Sequence, residues 1–447
     1  MILSLIVFTL RAGGAAALLA VLVTVPAAAS GPGQAAGSRS KVPYTYRVLR
    51  RDVIINADIW NREPEMMAAG LGFTGIIGVP GLTTSNVPLS RTLTVLGGGA
   101  WNSNVHCSSG QAPPLASYTS SATPSAIRSL YGHDVYYSDG LPVEFSWPVL
   151  PSTLDADDFA VKLNNGTTIT PQVVSIWPNF EYNERSVAVM FGHFGNRVPP
   201  NRAGALYPVS VKVVRGSSVL KLVGPGQRIV SAVGFSARAP GSPYTAPGVP
   251  PRQRGGPTLV AAKLSRMSAA GNTGPVIFRQ NLPNSGVSLY GRQARFRLRM
   301  YTSGGMTPNG VTPLLPTEYG KYFQVDAVTS AGKTVRLLQA GKTYYIDGQP
   351  LRVVGLANLG RKQASYDDCY TEVRNNYIDI VLDGSEAAAR RITTVQIPST
   401  GRYKPLYNPG GPGNDPAPGV HYSAPSPPIS EHVMIALNNP LTVTYRR

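Results

Sequence analysis

At 447 residues, 43% of them apolar, the chain is too long for one ordinary domain and too rich in core-forming side chains to be disordered as a whole. Charged residues make up only 14%, against 47 Gly and 40 Pro, which disfavours long helices built on Glu, Lys and Leu and favours many short strands. The net charge is +18, and two cysteines are too few for a disulfide framework of the small secreted kind.

Residues 2–10 and 14–28 are apolar or small, are interrupted by Arg11, and end in "VPAAAS". Ala27 and Ala29 suit a signal-peptidase cut after Ala29; the alternative is a retained membrane anchor. No later stretch reaches the ~18 apolar residues that a bilayer helix needs. An exported, secreted or periplasmic protein is therefore expected. "SGPGQAAGSRSK" (30–41) reads as a flexible linker, 44–62 as strand-like pieces, and the Gly-, Ser- and Thr-rich run 97–125 as long surface loops.

Alternation is clearest from 141. In "LPVEFSWPV", Leu141, Val143, Phe145, Trp147 and Val149 share one face, and Pro142 and Pro148 on the other suggest a sheet edge. Phe159, Val161 and Leu163 alternate next, before a tight hairpin at Asn164–Asn165–Gly166. Val187, Val189 and Phe191, then Val209, Val211 and Val213, complete a set of strands that each bury one face, the pattern of a sandwich.

The stretch "PVEFSWPVLPSTLDADDFAVKLNNGTTITP" resembles the opening of bacterial immunoglobulin-like modules of surface and exported proteins. The likeness is carried by Pro148–Val149, Ser152–Thr153–Leu154 and Asp158–Phe159, and spans 141–236. It implies a β-sandwich used for adhesion, spacing or cell-surface assembly, with no reaction of its own. The loop "WPNFEYNERS" (177–186) is longer and more aromatic than such modules carry.

A Pro/Gly/Arg linker is expected over 237–257. Beyond it, 258–447 reads as a second β-rich domain with a Pro-rich C-terminal segment. Asp347–Gly348 marks a hairpin, Ser385 is a candidate cap for a short helix in "SEAAARRI", and "HVMIALNNPLTVTYRR" could close as a strand pair. The fold class expected is all-β and multi-domain: signal peptide 1–29, linker and N-terminal β/loop region 30–140, immunoglobulin-like sandwich 141–236, and a second β-rich domain with long irregular loops.

Three groups of residues invite a function. Between Glu184 and Glu318 there is no acid, and in "GRQARFRLRMY" Arg295, Arg297 and Arg299 alternate with Phe296, Leu298 and Met300. A strand would put three guanidiniums on one open face, suited to paired recognition of carboxylate, sulfate or phosphate oxygens. An anionic polysaccharide or a membrane surface is the expected partner, and nucleic acid is disfavoured by export; the alternative is a row of solvated charges guarding a sheet edge. In "YDDCYTEVRNNYIDIVLDG", Asp367, Asp368, Glu372 and Asp379 could hold calcium, the one cofactor the sequence suggests, if the loop folds back; otherwise this is an acidic loop before a strand. Cys107 and Cys369 are either one long-range disulfide or two free thiols.

Catalytic signals are weak. There is no Gly-x-Ser-x-Gly elbow, zinc spacing or P-loop, and His133–Asp134 or Ser430–Glu431–His432 would need folding to complete a triad. The leading expectation is an exported binding or structural protein. Its rival is a secreted hydrolase of a polysaccharide or ester, favoured only if His133, Asp134, His193 and the acids near 367 meet in one cleft.

Overall fold

The computed structural model describes residues 42–70, 72–239, 244–412 and 423–447; the expected signal segment and the linker 30–41 lie outside them. Where strand was expected at 44–49, the chain forms a short helix, α1 (Tyr44–Leu49), opened by Pro43. Strand β1 (Val53–Asp58) follows, then β2 (Met66–Ala69) and β3 (Phe73–Ile77). Three helices follow: α2 (Val87–Leu96), α3 (Leu115–Tyr118), which lies inside the run 97–125 expected as loop, and α4 (Pro124–Tyr131), which starts at the end of that run. Side chains of Asn86 and Thr123 cap α2 and α4, each with Pro in the first turn, where a missing N–H does no harm.

The region expected to form a sandwich does so with two sheets. One contains β4 (Ser138–Phe145), β7 (Val173–Ser175) and β8 (Val187–Gly192), with β2 and β3 on the free side of β4; the other orders β12 (Ser236–Arg238), β9 (Pro208–Val213), β5 (Phe159–Leu163) and β6 (Thr168–Ile169). A small ribbon of β10 (Lys221–Val223) and β11 (Ile229–Ser231) stands beside them. Leu141, Val143, Phe145, Phe159, Val161, Val211 and Val213 share one core between the sheets.

Two expectations fail here for one reason: this sheet is covered on both faces. Strand β4 is central, not an edge, and every residue from Ser138 to Phe145 is buried. Its proline is tolerated because β2 pairs with 143–145 and β3 with 138–140, so Pro142 falls between them and gives only its carbonyl, to Gly70 N–H. In β8, Ala188 and Met190 enter the sandwich core, while Val187, Val189 and Phe191 face the opposite way into a second cluster with Trp60, Tyr301 and Tyr377.

The second β region is a nine-stranded sheet. Its order is β16 (Thr334–Leu337), β15 (Gln324–Val328), β20 (Ile392–Ile397), β21 (Ile429–Ile435), β13 (Leu259–Arg266), β14 (Phe296–Thr302), β19 (Tyr377–Gly384), β18 (Gln349–Ala357) and β17 (Tyr344–Ile346). The sheet curls until its two edges approach, joined by Gly341 N–H to Val353 O at 2.8 Å, so it is nearly a closed barrel. Phe296, Leu298, Met300, Ile378, Ile380 and Val325 fill its interior. The hairpin at Asp347–Gly348 has both residues at positive φ, as a primed two-residue turn requires. Ser385 precedes the helix Glu386–Ala389, but its side chain makes no capping bond.

The C-terminal strands do not pair with each other. Strand β21 joins the barrel, while β22 (Thr442–Arg446) crosses to the start of the chain and pairs antiparallel with β1. Both regions flanking 237–257 are thus present, and Val42–Arg447 clusters as one compact unit. Among the described residues, no helix is long and apolar enough to cross a membrane.

Candidate binding cleft

The arginine row alternates as expected, with Phe296, Leu298 and Met300 inside the barrel, but its outer face is not open. Arg295 is exposed, whereas Arg297 and Arg299 are only 2% and 1% accessible. Arg299 donates from Nε and Nη2 to the two oxygens of Asp379 at 2.7 and 3.0 Å, and from Nη1 to Asp58 at 3.2 Å; Glu184 lies 3.3 Å away. Lys263 Nζ stands 2.5 Å from Asp58, and Arg297 stands 3.7 Å from the same oxygen. Register places Lys263, Arg299 and Asp379 directly opposite one another on adjacent strands. A three-arginine anion-binding face is therefore corrected to a buried ionic network, because distant acids fold over the row. A lone Asp in each of two apolar strands, Asp58 in "VIINADIW" and Asp379 in "YIDIVL", was the sequence signal available for it.

Opposing charges set the ionisation of this network. Burial pushes the Asp58 carboxyl up, but Lys263, Arg297 and Arg299 prevail and hold it down at about 2. Burial raises Glu184 to about 7 against Arg299, and raises Glu181 well above the usual range with Glu184 beside it.

The four proposed calcium ligands do not come together. Asp379 is committed to Arg299, Asp368 is exposed, and Asp367 accepts Ser108 N–H at 2.6 Å and Cys369 N–H at 3.0 Å. Burial raises Glu372 to about 8, against the neighbouring Arg374. Among the described residues, no group of three or more His, Cys, Asp or Glu is placed to hold a metal ion. An acidic loop tied down by backbone N–H groups accounts for this stretch.

Cys107 and Cys369 are bridged, with Cα atoms 5.2 Å apart across 262 residues of sequence. The bridge pins the loop before α3 onto the loop before β19, and Ser108–Ser365 and Ser117 Oγ–Cys369 O hydrogen bonds follow it. Closing so long a loop should contribute roughly 2–4 kcal/mol. A thiol reagent should find no free thiol in the unreduced, denatured protein, and Cys107→Ser with Cys369→Ser should lower urea-melt stability by that amount. Two labelled thiols in the unreduced protein would contradict the bridge.

Beside the disulfide lies a cleft of about 880 Å³. Its walls carry hydroxyls and amides, among them Ser109, Gln111, Gln280 and Asn281, with half-buried Trp177 stacked on Phe180 at 5.0 Å between ring centres. Arg361 and Lys362 are exposed on its lining. Lys362 donates to Ser288 O at 2.8 Å, and Arg361 has no hydrogen-bond or ion-pair partner among the described residues. Hydrogen bonds from Ser108 hold the Asp367 carboxyl below its usual range, whereas Glu372 keeps its proton at neutral pH. Two cations therefore face one carboxylate in the cleft.

Sequence reasoning missed this site because its walls come from four separated segments, near 107–116, 177–180, 280–281 and 361–373. The aromatic loop 177–186, the cysteines and the acids Asp367 and Glu372 were its visible parts, the last two read for a different role. Among the described residues no histidine lines it: His133 and His193 are exposed elsewhere, and Asp134 pairs with Arg128. His421 lies outside the described residues. No protein-family model, curated protein or solved structure matches the chain.

Proposed function

We propose that this is an exported binding protein of the cell surface or periplasm that holds an anionic polysaccharide in the cleft beside the disulfide. The observation that carries this reading is the cleft itself. It has the volume of a ligand site, a lining that hydrogen-bonds hydroxyl groups, an aromatic face, and a cation, Arg361, with no partner among the described residues. The disulfide supports an oxidising compartment. Binding is preferred to hydrolysis because His133, Asp134 and His193 are scattered away from the acids near 367, and the Glu372 Oε2 atom is shielded from solvent.

Polygalacturonate should bind at low salt and weaken steeply as salt rises, while neutral dextran binds little; charges at a surface are screened over ~10 Å at 0.1 M. Changing Arg361 and Lys362 together to Ser should weaken binding about 5- to 30-fold, since each exposed charge contributes roughly 0.5–1 kcal/mol. Arg295→Ser should leave it unchanged. Equal binding of dextran, or an unaltered affinity in the double variant, would refute the proposal.

A further inference from the structure

Trp177 and Val373 line two hollows at once, the polar cleft and a smaller cavity of about 190 Å³. The walls of the smaller one are Phe73, Ile77, Ile127, Leu130, Val189 and Phe191. The polar side chains on its lining are engaged with the protein. Ser120 Oγ donates to Gly310 O and Tyr131 to Trp177 O. Asn376 donates to Glu144 and Thr302 O, and Arg374 to Val311 O and Ala116 O. Water held in a cavity needs about two to four polar partners, so this lining favours an apolar guest.

The cavity is open to an entering group. Ala126 on its lining is exposed, and Phe73, Leu130, Trp177 and Val373 are half-buried. Two of these, Trp177 and Val373, are the residues shared with the cleft, so the hollows meet at a common wall. A ligand in the cleft has hydroxyl- and charge-binding groups on one side of that wall and an apolar hollow on the other.

We propose that the ligand is amphipathic: an anionic sugar in the cleft carries an apolar alkyl or aryl substituent that seats in the second cavity. The sugar end rests on the cleft reading given above; the apolar end is the addition. An apolar cavity of about 150 Å³ takes a benzene ring, so this one has room for roughly six to eight carbons. Each methylene taken out of water strengthens binding roughly fourfold.

The test is calorimetric titration of the full chain with hexyl, phenyl and methyl β-D-glucuronide, with polygalacturonate alongside. The hexyl or the phenyl glycoside should bind at least about 30-fold tighter than the methyl, and the tighter of the two tells an alkyl from an aryl group. Ala126→Trp sets a bulky side chain at the cavity and should cut that advantage below about 3-fold, with polygalacturonate affinity unchanged. If this variant melts below the parent, Ala122→Leu, also on the lining, makes the same test. Equal or undetectable binding of all three glycosides, with polygalacturonate bound, overturns this proposal and leaves the cleft reading standing. The same result is expected if another part of the chain or a second copy fills the cavity. A parent protein that does not bind polygalacturonate overturns the cleft reading, and this proposal with it. An undiminished preference for the larger glycoside in folded variants of both kinds puts the apolar group elsewhere and overturns the proposal as well.

Discussion

Replacing Arg299 with Met should lower the free energy of unfolding by about 3–5 kcal/mol, the usual cost of removing one partner from a buried ion network. Arg299 touches Asp379, Asp58 and Glu184, each of them at most 2% accessible. Its loss leaves three carboxyl groups in an interior where only Lys263 and Arg297 remain to answer Asp58. Arg295, four residues earlier and just ahead of β14, is exposed, and its side chain donates to Gly384 O. Arg295→Ser should therefore change stability by no more than ~0.5 kcal/mol. Urea unfolding of both variants measures the contrast. If Arg299→Met stays within about 1 kcal/mol of the parent, the network does not hold the fold in the way its geometry implies.

The second large effect is on pH dependence. Burial raises Asp139 to about 7 despite N–H groups from Phe194 and Gly75, raises Glu184 to about 7 despite Arg299, and raises Glu372 to about 8. In the unfolded chain such groups lose their protons near 3.8 for Asp and 4.5 for Glu. From about pH 4 to about pH 8 the native state therefore holds more protons than the unfolded chain, and stability must fall as pH rises. Asp58, held down at about 2, acts in the opposite direction, but only below about pH 4. Asp139 and Glu184 together should lower the unfolding free energy on the order of 5 kcal/mol between pH 4.5 and 8. Melting temperatures at a series of pH values should decline across this range. A flat or rising profile would contradict it, and Asp139→Asn, which stays neutral at every pH, should flatten part of the slope.

What the sequence shows about this fold is local, and what it hides lies across the chain. Period-two alternation places Phe296, Leu298 and Met300, and Leu141, Val143 and Phe145, in their cores, because the pleat leaves a strand only two faces. Alternation does not say what covers the other face. Arg297 and Arg299 read as solvent-facing because the acids that meet them stand at positions 58, 184 and 379. The same limit made Pro142 look like an edge and assigned Val187, Val189 and Phe191 to the wrong core. The turns at Asn164–Asn165–Gly166 and Asp347–Gly348 were legible because their chemistry is contained in two or three residues. The cleft was not, since none of its four segments has a pattern of its own.

Strand β1 meets β22 with Val53 opposite Arg446 and Asp58 opposite Thr442. The chain therefore enters and leaves this ladder at the same end. A pull applied on either side of it would act across the hydrogen bonds rather than along them, peeling the pairs one at a time from Val53–Arg446 inward, with no moment at which all resist together. The last position to be reached is Asp58, the counter-charge shared by Lys263, Arg297 and Arg299. Loaded across this ladder, the fold would thus open along the seam before its ionic interior, a mechanical weak line that ends at Asp58.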